Sequence, residues 1–355
     1  MLVADAEVDR RDFTVRAALS VAPGERLALF GPSGAGKTTI LEMIAGLVQP
    51  RRALILLKER VLTSTDKPVA VIPPWQRRVG LLRQDPGLFP HLSVRANLLY
   101  GRSGSDSAAA AELTDLAALL GIEELLSSMP ARLSGGQLHR VALGRLLLSH
   151  CDALLLDEPY TGLDASLRRT LTDLVVSLVA QRGVPSILVA HELAEAQAFA
   201  DRLAVLDKGE VLQTGAPGDV VLSPATQRVA ELVGYTSFLP LPAAPGMPDG
   251  LVAAIHPDRV IPGRHPELGI FVPGVVTSCR PAGALWEAKV RSGEAIVTAH
   301  LPSAIAVGQR IEVTAADPPL FRHDGTVAPV RATPATGGSV GTAWTGQGSK
   351  TGEAR

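Results

Sequence analysis

Along the first 235 positions the apolar residues fall in short runs separated by longer stretches at helical spacing, which is the rhythm of an α/β domain. Val21, Leu27, Leu29 and Phe30 lead into a glycine-rich turn, and residues 153–156, 187–190 and 203–206 form further unbroken runs. Such runs, bounded by polar residues, predict strands buried on both faces of a parallel sheet. Phe13, Val15, Ala17 and Leu19 alternate at strand spacing, which predicts a core position for Phe13. Between about 93 and 150 the pattern changes. Ala and Leu recur at helical spacing in 108–120 and 138–148, predicting a mostly helical insert.

Residues 236–250 carry Pro240, Pro242, Pro245, Gly246, Pro248 and Gly250, which break both helix and strand and mark a linker after a domain of residues 1–235. Beyond it, 251–255, 270–277, 285–291, 295–301 and 310–315 are short, β-branched and closely spaced. They predict a small all-β barrel or sandwich over 251–331. Residues 332–355 are mostly Gly, Thr, Ser and Ala and are expected to be a disordered tail.

Composition changes this picture in three ways. The 355 residues suit two domains, and 46% apolar with 19% charged residues suits a chain that buries a core. With 34 Lys and Arg against 35 Asp and Glu, the net charge is -1, so no global field draws in nucleic acid or anionic lipid. Any bound anion must be held locally. The longest uncharged runs, 232–248 and 332–349, are broken by Pro and Gly, so no spanning helix is predicted. The acidic start, Met1-Leu2-Val3-Ala4-Asp5, lacks the basic head of a signal peptide, and a cytoplasmic location is expected. Cys151 and Cys279 are far apart, without a CxxC pair, and predict neither a disulfide nor a zinc site.

Local anion binding has an obvious candidate. Gly31-Pro32-Ser33-Gly34-Ala35-Gly36-Lys37-Thr38-Thr39 fits G-x-x-x-x-G-K-[ST], after an apolar run and before the helical stretch 40–47. The glycines let successive backbone N–H groups converge on phosphate oxygens at a helix N-terminus. Lys37 is expected to reach the β and γ phosphates, and the Thr38 hydroxyl to ligate Mg²⁺. Leu154-Leu155-Leu156-Asp157-Glu158-Pro159 is an apolar strand ending in two carboxylates. Beside a phosphate loop, Asp157 is suited to the Mg²⁺ shell and Glu158 to polarising the attacking water. Ser134-Gly135-Gly136-Gln137 precedes another helical pattern and makes a second anion-binding helix start.

With Gln84, Asp164 and His191 in order, residues 1–235 resemble an ATP-binding-cassette ATPase, a P-loop NTPase with a helical subdomain. The resemblance implies that Gln84 matches the Q-loop, which contacts Mg²⁺ and water. Ser134, Gly135, Gly136 and Gln137 match the signature that closes over the γ-phosphate held by another copy, so a homodimer sandwiching two ATP molecules is expected. Asp164 matches the D-loop and His191 the switch histidine. The implied catalytic set is Lys37, Gln84, Glu158 and His191, with Thr38, Gln84 and Asp157 on the metal and residues 31–39, 134–137 and Asp164 on the nucleotide.

Residues 79–94 resemble importer ATPases of the molybdate, sulfate, ferric-iron, polyamine and sugar group, with Leu88, Phe89 and His91 where those relatives receive the permease. Ile255-His256-Pro257-Asp258-Arg259-Val260 resembles the transport-associated OB domain of the same group. These likenesses imply an ATP-hydrolysing motor on the inner membrane face, bound to integral permease subunits and served indirectly by an external solute-binding protein. Molybdate or sulfate is the first solute expected, with ferric iron, polyamine or sugar as alternatives. The chain also departs from the pattern: Leu138-His139 replaces the usual Gln or Arg pair, and Arg83 replaces an aromatic. Ala53 and Glu59 stand where turn glycines are expected, predicting an irregular hairpin; Phe13 is the one aromatic candidate for adenine. A soluble cassette acting on ribosomes or DNA is a competing class, but such relatives usually carry two cassettes or a long coiled coil. A P-loop kinase has no use for Ser134–Gln137 or Asp164.

Overall fold

The computed structural model describes residues 1–100, 107–242 and 248–328. The chain divides into two compact units, Met1–Gly218 and Asp219–Arg355.

In the first unit a six-stranded sheet runs in the order Glu210–Gly215, Arg202–Asp207, Arg26–Phe30, Ser186–Val189, Ala153–Asp157, Val79–Leu82. All but Glu210–Gly215 are parallel. The predicted apolar runs become its central strands, and Leu154, Leu155, Leu156, Ile187 and Leu188 are fully buried. Because these strands are parallel, their carboxyl ends share one edge. That edge carries Gly31, Gln84, Glu158 and His191 just beyond the strands, where open parallel sheets bind ligands.

A second, antiparallel sheet was not legible at its first strand. It is ordered Thr14–Val21, Leu2–Asp9, Arg52–Leu57, Arg60–Ser64, Ala70–Val71. Leu2, Ala4, Ala6 and Val8 point into the core, but two small alanines weaken the alternation signal. On the opposite face Glu7 pairs with Arg16, Arg51 and Arg52. The expected irregularity after Pro50 takes a definite form: Lys58 occupies the left-handed region at φ 58° in the turn, and the register shifts between Ile55 and Leu56.

Both sheets close on the helix Lys37–Ala45 through Ile40, Leu41, Met43 and Ile44. Its C-terminal end is held by Arg77, which is 2% exposed. The Arg77 guanidinium donates to the carbonyls of Ile72 (2.8 Å), Met43 (3.2 Å) and Ile44 (2.8 Å) and to Thr63 Oγ1 (2.8 Å). Two of those carbonyls belong to the last helical turn, where a cation also meets the negative end of the helix dipole. The helical insert contains Val94–Leu98, Ser107–Leu120 and Gly135–Leu148.

In the second unit, one antiparallel sheet joins Ser237–Pro240, Val252–Ile255 and Leu320–Phe321. The other runs Val260–Pro262, Arg310–Ala316, Gly269–Ala282, Leu285–Ser292, Ala295–Leu301. Leu239, Ile255, Ile270, Val272, Val290 and Val297 form their common core, in keeping with a small all-β, OB-like barrel. This unit begins at Asp219, ahead of the 236–250 segment. Gln227 donates its backbone N–H to the Gly325 carbonyl, and Thr226 bridges Thr326, so the helix Gln227–Leu232 is tied to these strands. Residues 243–247 of the expected linker and the expected tail lie outside the described residues.

Candidate active site

The turn after the strand Arg26–Phe30 is built for close backbone approach. Gly36 sits at φ 103°, and a Cβ there would run into the Val15 side chain; Gly31 similarly faces the Leu206 carbonyl. Only glycine fits either place. Lys37, 7% exposed, folds back so that Nζ donates to the carbonyls of Gly31 (2.7 Å) and Pro32 (2.9 Å). Burial pushes the Lys37 ammonium below the usual lysine range, against the opposing pull of Glu158 and Asp157.

Across the sheet edge, Thr38 Oγ1 donates to Asp157 Oδ1 at 3.2 Å. Desolvation raises the Asp157 carboxyl, with the Thr38 hydroxyl pulling the other way and Glu158 adding to the rise. Glu158 is held at φ 50°, a left-handed conformation rare outside glycine, which turns the chain sharply off the strand Ala153–Asp157. Its backbone N–H donates to the Val189 carbonyl at 3.2 Å, and its Oε2 lies 3.5 Å from Gln84 Nε2.

These groups surround one cavity of about 340 Å³, lined by Ser33, Gly34, Gly36, Lys37, Thr38, Thr39, Gln84 and Glu158, with Arg10 and Phe13. Thr38, Asp157 and Gln84 offer hard oxygen donors to Mg²⁺, which normally takes one or two protein oxygens, several waters and phosphate oxygens. Among the described residues no group of three or more His, Cys, Asp or Glu could hold a metal by itself. The donor set of Thr38, Asp157 and Gln84 fits Mg²⁺ that shares its shell with phosphate oxygens.

The remaining expected residues do not line this cavity. Ser134 caps the helix Gly135–Leu148 in a reciprocal box with Gln137: Gln137 N–H donates to Ser134 Oγ (3.4 Å) and Ser134 N–H to Gln137 Oε1 (2.8 Å). Ser134 and Gly135 are exposed, and Gly136 lies against the Gly162 carbonyl. Asp164 is exposed and caps the helix Ala165–Arg182, accepting from Leu167 N–H at 2.9 Å. His191 is exposed, and its backbone N–H donates to Glu195 at 3.2 Å.

Sequence reasoning missed Arg10, whose Nη2 donates to Thr39 Oγ1 at 3.2 Å on the cavity wall. No pattern singles out Arg10 from Arg11 beside it. Phe13 packs against the core as expected, but it precedes the strand Thr14–Val21, is half-buried, and also lines the cavity. Arg145 was missed too: its Nη2 donates to the carbonyls of Pro86 (3.1 Å) and Gly87 (3.0 Å), while the guanidinium lies over the Phe89 ring. Asn97, fully buried, donates to the Phe89, Leu92 and Ser93 carbonyls and orders the loop bearing Leu88, Phe89 and His91.

The ABC transporter family model matches residues 15–161. Among similar proteins, Fe(3+) ions import ATP-binding protein FbpC of Pseudomonas fluorescens is 41% identical over 223 residues, 62% of this chain and 62% of that protein. The FbpC of Mesorhizobium japonicum is 38% identical over 68% of this chain and 66% of its own length, so the match spans less than two thirds of either iron-import relative. Molybdenum import ATP-binding protein ModC of Mycobacterium tuberculosis is 39% identical over 272 residues, 72% of each chain. Among solved structures, an ATP-binding subunit of an ABC transporter superposes with TM-score 0.55 and 27% identity, covering 66% of this chain and 95% of that one. A dimeric ATP-binding cassette bound to ADP and Pi superposes with TM-score 0.53 and 25% identity over 61% and 99%.

Proposed function

Since the chain belongs to the ABC transporter family, we propose that it is the ATP-hydrolysing motor of an importer, working as a homodimer beneath membrane permease subunits. The single observation that carries the reading is one cavity bringing together the glycine loop, Lys37, Thr38, Gln84 and Glu158. No helix among the described residues is long and apolar enough to cross a membrane.

In this reading the loop amides and the N-terminus of the helix Lys37–Ala45 bind the phosphates of ATP. Lys37 exchanges its two loop carbonyls for the β and γ oxygens. Thr38, Asp157 and Gln84 hold Mg²⁺, which when bound neutralises charge on those oxygens. Glu158 orients a water and accepts its proton as the water oxygen bonds to the γ-phosphorus and the bridging P–O bond to ADP breaks. His191, exposed at the same sheet edge and outside the cavity lining, reaches the γ-phosphate in this reading only when the site closes. The helix start at Ser134–Gln137, with Ser134 and Gly135 exposed, and the exposed Asp164 lie outside their own cavity, which supports their service to the nucleotide of a second copy. ATP would thus favour the closed dimer, and hydrolysis would release it.

For the solute we favour molybdate or sulfate, taken from an external binding protein. At equal coverage of 72%, the molybdenum-import relative is 39% identical and an iron-import relative from Yersinia pestis 34%. Ferric iron is the second reading, supported by the 41% identity of the Pseudomonas protein. The test is Mg²⁺-dependent phosphate release by the purified chain, followed by uptake of labelled molybdate and ferric iron in cells with and without it. Loss of molybdate uptake alone is expected; loss of iron uptake alone selects the second reading, and absence of phosphate release rejects the motor.

A further inference from the structure

His139 stands on the helix Gly135–Leu148, five residues after its cap Ser134. Its Nε2 lies 2.9 Å from the backbone carbonyl of Gln84, and its Nδ1 lies 3.2 Å from the Gly135 carbonyl one turn back. Six residues further along the same helix, Arg145 donates to the carbonyls of Pro86 and Gly87. One helix therefore grips three Q-loop residues, 84, 86 and 87, through their main chain. The grip at Gln84 matters most, because that side chain faces Glu158 and lines the cavity. Gln84 is itself exposed, and among its described hydrogen bonds the one at its backbone carbonyl is far shorter than the 3.5 Å contact at its amide.

We propose that His139 is a positioning residue: its Nε2–H fixes the Gln84 backbone against the helix that begins at Ser134, so that movement of that helix carries Gln84 toward or away from Glu158. The inference rests on the ATPase reading above. It requires only a donor at position 139 that reaches the carbonyl, so a glutamine amide substitutes and a methyl group does not.

Two measurements on the full chain test it. Backbone amide exchange in 83–89 should quicken about two- to tenfold in His139→Ala, the range of one net hydrogen bond, and stay near wild type in His139→Gln. In phosphate release, His139→Ala should lower kcat by about the same factor with KM for ATP within about twofold, since the phosphate loop is untouched; His139→Gln should recover it. Unchanged exchange in His139→Ala overturns the proposal, as does an equal loss in both variants, which would assign the effect to packing. Faster exchange with unchanged kcat reduces the contact to a structural one and also overturns it. If the wild-type chain releases no phosphate, the ATPase reading fails and the positioning role with it, while the exchange data still report whether His139 holds the loop.

Discussion

Replacing Arg77 with methionine removes a buried cation that has no carboxylate partner among its hydrogen bonds and is satisfied by three carbonyls and one hydroxyl. Methionine keeps much of the apolar volume, so the perturbation isolates the donors. Met43 keeps the Gly46 N–H, so the Ile72 and Ile44 carbonyls are the two left unpaired, at about 1–3 kcal/mol each and roughly 2–6 kcal/mol together. Against this, leaving out a buried guanidinium recovers a desolvation cost of several kcal/mol, the same burial that pulls its pKa below the usual arginine value. The net expectation is a loss of about 2 kcal/mol. For a unit the size of Met1–Gly218 this corresponds to a drop of roughly 4–8 °C in melting temperature. Calorimetry on the whole chain reads it, with the transition of the first unit identified by its upward shift in ATP and Mg²⁺. A fall of under about 2 °C would refute the reasoning, because it would mean that Arg77 does not anchor the end of the P-loop helix.

Two further outcomes follow from the geometry. Asp201 accepts from Arg26 at Nη2 (2.6 Å), Nε (3.0 Å) and the backbone N–H (3.0 Å), and these hydrogen bonds hold its carboxyl below the usual aspartate value. Its stabilisation is therefore present above the unfolded aspartate pKa of about 3.9 and fades as pH falls through the lower folded value. With the side chain partly exposed, Asp201→Asn should cost about 1 kcal/mol at pH 7, and melting curves of mutant and wild type should converge in acid below about pH 4; a gap constant down to pH 3 contradicts this. Arg10→Ala should raise KM for ATP by roughly threefold to tenfold with kcat little changed, the cost of one partly screened cation; an effect on kcat alone would remove Arg10 from nucleotide binding.

How much of this was readable beforehand depends on where the information lies. The parallel strands were legible because burial on both faces demands unbroken apolar runs such as 153–156, and the phosphate loop because its glycines are required by Val15 and the Leu206 carbonyl. The strand Leu2–Asp9 was not, since alanine at two of its four core positions mimics neither a strand nor a helix. Phe13 shares its parity with Val15 and Ala17 but falls one residue outside the strand, and parity carries no information about where pairing stops. Arg10, Arg77, Asn97 and His139 act by hydrogen bonds to main-chain or hydroxyl oxygens. Those acceptors exist at every position, so no motif singles out the donor before the fold places it.

The central claim is that Glu158 completes a hydrolytic site which two copies of the chain close around ATP. Its most direct test is Glu158→Gln, examined by sedimentation with Mg²⁺ and ATP alongside phosphate release. The account predicts that the variant still binds ATP, loses nearly all turnover and accumulates as an ATP-dependent dimer, whereas wild type returns to monomer as ATP is spent. A variant that hydrolyses ATP at the wild-type rate, or that stays monomeric with ATP bound, would contradict it.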